Sequence, residues 1–131
     1  MSAADFLKKA DSALASAKRD FDASDYDGAA NRLYYAMFHA PRAALENAGI
    51  RPQGRHSTII ARFGRQFCRD GPLPPELGRA PNEAQELRVE GDYGLGTPDA
   101  NEARVYLTKA EEFVAAVKTI VSAPPGSLAK P

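Results

Sequence analysis

Two side chains able to do chemistry together lie within Ser24 to Gly49, SDYDGAANRLYYAMFHAPRAALENAG: Arg32 and His39. They are seven positions apart, close to two turns of an α-helix, so both fall on one stripe with Tyr35 between them. An arginine fork fits a phosphate, and histidine exchanges protons near neutral pH. Such a pair suffices for metal-free RNA cleavage. The histidine would help deprotonate a 2′-hydroxyl or protonate the leaving 5′-oxygen, while the arginine stabilises the crowded phosphorane. RNA carries its own nucleophile, so a site this sparse suits RNA better than DNA.

Further cationic candidates follow along the chain. Arg55, His56 and Ser57 stand together, Arg62, Arg65 and Arg69 recur at helical spacing, and Arg88 precedes Asp92 and Tyr93. No acidic residue occurs between Asn47 and Arg69, although 17 Lys and Arg balance 17 Asp and Glu in the whole chain. Overall neutrality thus conceals a positive segment able to meet phosphates. With Tyr35, these residues are candidate RNA or nucleotide contacts.

Each candidate also has a plainer role. Arg32 could be a buried arginine paired with Asp92 or Glu90, and His39 a core histidine bonded to a carbonyl freed by Pro41. Arg62, Arg65 and Arg69 could form a solvated face, and Arg88 with Asp92 an ordinary i, i+4 pair. Tyr34, Tyr35 and Tyr93 read first as packing aromatics. Other chemistries lack their residues. Two histidines and one cysteine show no metal-ligand spacing, so neither metal nor cofactor is expected. There is no Gly-x-Ser-x-Gly elbow, and GLG at Gly94 to Gly96 lacks the Gly-Lys-Ser/Thr of a phosphate loop. Cys68 reads as a structural thiol.

The elements that must position these residues are helices. A first runs from about Ser2 to Asp22, with Ser2 and Asp5 as a capping pair and Phe6, Ala10, Ala13, Leu14, Ala17 and Phe21 as its apolar stripe. A second takes Ser24 as N-cap, with Asp27 three residues on, and Gly49 as C-cap. It is apolar nearly all round, which predicts the most buried helix, and Pro41 predicts a kink beside His39. A third runs from Ser57, its cap, to Arg69, burying Ile59, Ile60, Phe63 and Phe67. A fourth begins near Pro81 and ends at Asp92 or Tyr93, with Ala80, Ala84, Leu87 and Gly91 inward. A fifth spans about Asp99 to Ala123, capped by Asp99 and Glu102, with Leu107, Ala110, Val114, Val117 and Val121 as its seam. No strand pattern appears. The reading is one all-α domain over 1–123, an antiparallel up-and-down bundle of four long helices plus a shorter one, with a disordered tail at 124–131. A single cysteine, no apolar leader and no apolar run of spanning length predict a cytoplasmic protein without membrane contact.

ANRLYYAMFHAPRAALENAG, GRHSTIIARFGRQFCRDG, LRVEGDYG and EARVYLTKAEEFV together resemble successive blocks of the HEPN domain family, in its small stand-alone prokaryotic form. The resemblance covers about residues 5 to 121. It implies an all-α bundle, a homodimer, and a toxin–antitoxin module with a minimal nucleotidyltransferase as antitoxin partner. Catalytic members are metal-independent endoribonucleases carrying Arg-x4–6-His, a spacing that Arg32 and His39 fit at its upper end. The sequence departs from that pattern in having Leu33 where a polar residue usually follows the arginine, and in placing the motif in the second helix. It also lacks an Arg-x4-His-x-Tyr near its C-terminus. A non-catalytic nucleotide- or RNA-binding or partner-docking protein is therefore the alternative. The apolar surplus of the second helix points to a symmetric homodimer as well.

Overall fold

The structure is a computed structural model that describes residues 1–51, 54–92 and 98–122. Its elements are α1 (Ala3–Asp22), α2 (Tyr26–Asn47), α3 (His56–Phe63), continued by a π-helical segment (Gly64–Arg69), α4 (Pro75–Asp92) and α5 (Ala100–Ser122). No strand occurs among the described residues, and the architecture is the expected all-α bundle of four long helices and one short one. The expected tail at 124–131 lies outside the described residues.

Helix α2 is the core. Ala29, Ala30, Leu33, Tyr34, Ala36, Met37, Phe38, Ala40 and Pro41 to Leu45, except Arg42, are buried. The helix packs most extensively on α1 and also meets α3, α4 and α5. Only Ala23, Ser24 and Asp25 join α1 to α2, so these two neighbours run antiparallel. Because one chain already covers α2, its apolar surplus supplies no argument for a second copy; the described large apolar side chains left exposed are Met1 and Val105.

Local chemistry sets most boundaries as expected. Ser2 and Asp5 form a reciprocal capping box at α1, and Asp99 with Glu102 forms another at α5. The exit from α2 is a Schellman turn: Gly49 N–H donates to Glu46 C=O at 3.0 Å and Ile50 N–H to Leu45 C=O at 2.9 Å. Gly49 sits there at φ +76°, a left-handed conformation that disfavours any Cβ. Gly49→Ala is therefore expected to lower stability by about 1–2 kcal/mol, read as a fall in thermal midpoint. An unchanged midpoint would mean that the turn relaxes without loss.

Four expectations are corrected. The N-cap of α2 is Asp25, whose carboxylate accepts from Gly28 N–H, because Ser24 takes a left-handed φ of 63° that closes the preceding turn. Helix α3 starts at His56 rather than Ser57, with Arg55 in the cap position and no side-chain cap bond. Beyond Phe63 the chain winds more widely as a π-helix, which keeps Phe67 and Cys68 inward. Helix α4 begins at Pro75, where a proline loses nothing in the first turn, and runs through Pro81. Burial of Ala80, Pro81 and Ala84 outweighs the hydrogen bond that Pro81 cannot donate. Likewise α2 continues through Pro41, itself buried.

Candidate functional site

Two of the cavities that border α2 together contain most of the candidate residues. The first is a groove of about 390 Å³ between α1 and α2, lined by Arg32, Tyr35 and His39 on one side and by Lys8, Lys9, Ser12 and Ser16 on the other. Helical spacing on α2 alone puts Arg32, Tyr35 and His39 in line. The opposite wall comes from α1 and was missed, because no spacing within either helix relates Lys8 and Lys9 to Arg32. No acidic side chain among the described residues lines the groove. A cleft walled by cations concentrates anions.

Arg32 is exposed rather than buried, and it makes no ion pair or hydrogen bond with any described side chain. The plainer role of a buried arginine therefore fails, while the Asp92 and Glu90 side chains named as its partners lie outside the described residues. His39 is half-buried, its ring stacked on Tyr35 at 6.2 Å and tilted against Phe38 at 5.8 Å. Its Nδ1 is buried with no hydrogen-bond partner among the described residues. An imidazolium would have to bury an unpaired N–H there, and burial is the main reason that the His39 pKa falls below its ordinary value. Lys9, Arg42 and His56 add smaller contributions in the same direction. The ring is thus neutral at physiological pH and able to accept a proton.

That shift has a consequence for stability. A histidine with a depressed native pKa binds fewer protons folded than unfolded, so stability is fully present above the unfolded value of about 6.5 and is lost as pH falls toward the native one. His56 is shifted the same way, by burial first and then by Arg88 and Arg42. The denaturation midpoint is therefore expected to drop on acidification from pH 7.5 to 5, and His39→Gln should shrink that drop. An identical drop in the variant would show that His39 does not contribute.

The second cavity, about 450 Å³, lies where α2, α3 and α4 meet and is lined by Tyr34, Arg55, His56, Ser57, Ile60, Asn82, Gln85 and Arg88. Tyr34 is buried, and its hydroxyl lies 2.6 Å from His56 Nδ1. Burial pushes the phenol pKa up, so Tyr34 keeps its proton and can donate it to Nδ1 when the imidazole proton of His56 is on Nε2. The His56 ring stacks on Phe38 at 3.8 Å, and the Arg88 guanidinium covers Tyr34 at 4.5 Å while its Nε donates to Gln85. Tyr34 had read as packing alone. It packs and also bonds; the link spans 22 positions, which no local pattern reveals.

The remaining candidates are not gathered there. Arg62 and Arg65 are exposed on the α3 side and line neither cavity. Arg69 is bonded to neighbouring Asp70, and Arg51 pairs with Glu46 at 3.4 Å, so part of the positive segment is neutralised locally. The side chain of Asp92 and all of Tyr93 lie outside the described residues. No cluster of three or more potential metal ligands occurs among the described residues, and none of their helices is long and apolar enough to cross a membrane.

Comparison with known proteins places this geometry in a family. The chain is 33% identical over 112 residues to the Methanocaldococcus jannaschii protein named "Putative toxin", covering 86% of this chain and 83% of that one. It is 35% identical over 94 residues to a UPF0332 protein of Thermotoga maritima, covering 71% and 70% respectively. In three dimensions it superimposes on the crystal structure of an archaeal HEPN homologue with a TM-score of 0.72 at 18% identity, covering 93% of this chain and 99% of the other, a match of fold. The HEPN domain model matches residues 3–120. Nearly the whole described bundle is accounted for by that match, and the chain belongs to the HEPN domain family.

Proposed function

We propose that this protein is a toxin-like, metal-independent endoribonuclease acting through Arg32 and His39. The observation that carries the reading is the α1–α2 groove, in which an exposed arginine without a described partner and a neutral histidine share one cationic wall. The RNA 2′-oxygen attacks the adjacent phosphorus and the 5′-oxygen leaves, giving a 2′,3′-cyclic phosphate and a 5′-hydroxyl end. Neutral His39 takes the 2′-proton and, as the imidazolium so formed, returns a proton to the leaving 5′-oxygen, and Arg32 faces the charge gathered on the phosphorane. Lys8 and Lys9 hold flanking phosphates. The name of the archaeal relative supports the toxin-like role. The same reading includes a homodimer, which light scattering at micromolar concentration tests directly, and a minimal nucleotidyltransferase as antitoxin partner, tested by co-purification.

The deciding assay is incubation with RNA in the presence of EDTA. Cleavage ending in a cyclic phosphate, and blocked by a 2′-deoxy residue at the cut site, supports the mechanism. Cleavage that requires added metal, or that yields a 5′-phosphate, overturns it, and RNA bound without cleavage leaves RNA or nucleotide binding as the function.

A further inference from the structure

The second cavity plays no part in the cleavage chemistry, yet its lining is that of a nucleotide site. Among the described residues its charged groups are Arg55 and Arg88, with His56 and Ser57 following Arg55 in the chain and no carboxylate. Its floor is the Tyr34 ring and Ile60, and Asn82 and Gln85 of α4 offer amides, which carry both donors and acceptors. Two guanidinium groups suit a phosphate, an apolar floor suits a base, and amides read base edges. At about 450 Å³ it is within the range of small-molecule sites.

Its position relative to the groove is equally informative. Tyr35 borders the groove and Tyr34 borders the cavity, and their rings meet edge to face at 5.4 Å. Phe38 lies 5.8 Å from the His39 ring and 3.8 Å from the His56 ring, so the two imidazoles are separated by no more than those two steps together. That line passes through buried Phe38, so a strand serving both sites goes around it, and at roughly 3.4 Å per stacked nucleotide it needs several nucleotides to do so.

We propose that this cavity is a nucleotide subsite for the same RNA strand, with one nucleotide seated at Arg55 and Arg88 and the cleaved bond at Arg32 and His39. The assignment rests on the ribonuclease reading for its second half, and its test separates the two. A short 2′-O-methyl oligoribonucleotide lacks the nucleophile and reports binding alone. Its affinity for the wild-type protein should fall with salt, and Arg55→Gln and Arg88→Gln should each flatten the log–log slope by roughly 0.7, the value for one single-strand phosphate contact. Arg62→Gln and Arg65→Gln, outside both cavities, should leave it unchanged. With cleavable RNA, the joint change Asn82→Ala and Gln85→Ala should alter which bases flank the cut.

Slopes that move with Arg32→Gln but with neither Arg55→Gln nor Arg88→Gln would overturn the subsite and spare the ribonuclease reading. Slopes that move only with Arg62 and Arg65 would put the strand on the α3 face and overturn it too. No binding to wild type would remove both. Arg55 is exposed at the cap of α3, so its variant remains a valid test if Arg88→Gln, which also strips the cover from Tyr34, fails to fold.

Discussion

Replacing His39 with alanine is expected to lower RNA cleavage by about 10²–10⁴-fold, the contribution of a positioned general acid or base. Arg32→Ala should cost on the order of 10²–10³-fold, as when one donor to a developing oxyanion is removed. The two act on one phosphorus in one step, so the double variant should be little slower than the worse single one. Stability distinguishes this outcome from a structural one. Arg32 is exposed and without a described partner, so its loss should leave the thermal midpoint almost unmoved. His39 is packed against Tyr35 and Phe38, so His39→Gln serves beside His39→Ala to keep the space filled. Activity that persists in either His39 variant with the fold intact would end the assignment. Both arms are read with EDTA present, which removes any contribution from contaminating metal nucleases.

The largest expected effect on stability is at Phe63. Its side chain is fully buried where α3 gives way to the π-helical segment, and its ring meets Phe67 and Phe113, both at 5.5 Å. It therefore ties the short helix to α5 through a buried aromatic contact. Phe63→Ala removes the buried ring and leaves a cavity between rigid neighbours, a loss of about 3–5 kcal/mol. For a domain of this size that corresponds to a midpoint lower by roughly 10 °C or more. Phe63→Leu fills part of the space and should cost less. A denaturant titration that moves by under about 1 kcal/mol for the alanine variant would show that the segment repacks, and would question the π-helical register that fixes Phe67 and Cys68 inward. Such a loss should reach the second cavity too, since Ile60 and His56 hang from the same helix.

The sequence by itself determined which helices exist and which residues are inside. The apolar run from Ala29 to Leu45 marks a central helix because only burial on several sides accommodates it. Capping at Ser2 and Asp99 and the left-handed Gly49 are determined within a few residues, so they are legible wherever the chain goes. The alignment of Arg32 with His39 is equally local. Where two local signals compete, the tertiary structure chose: Pro75 and Pro81 are both plausible first-turn residues. The earlier one starts α4 because the apolar stripe gains more by continuing back through Ala80 than Pro81 loses by withholding one N–H. Ser24 and Asp25 are both good caps, and the turn out of α1 left only Asp25 in position.

What surrounds Arg32 and His39 belonged wholly to the tertiary structure. No spacing relates Lys8 and Lys9 to a helix that begins at Tyr26, and only the packing of α1 on α2 makes them one wall of a groove. That packing also leaves Arg32 in solvent, where an all-round apolar helix had implied burial. In the same way, Tyr34 and His56 are bonded because α3 folds back across α2, and Arg88 joins them from α4. Local periodicity gives each helix an inner face. Which inner faces meet, and what charge their margins bring together, depends on contacts between residues far apart in the chain.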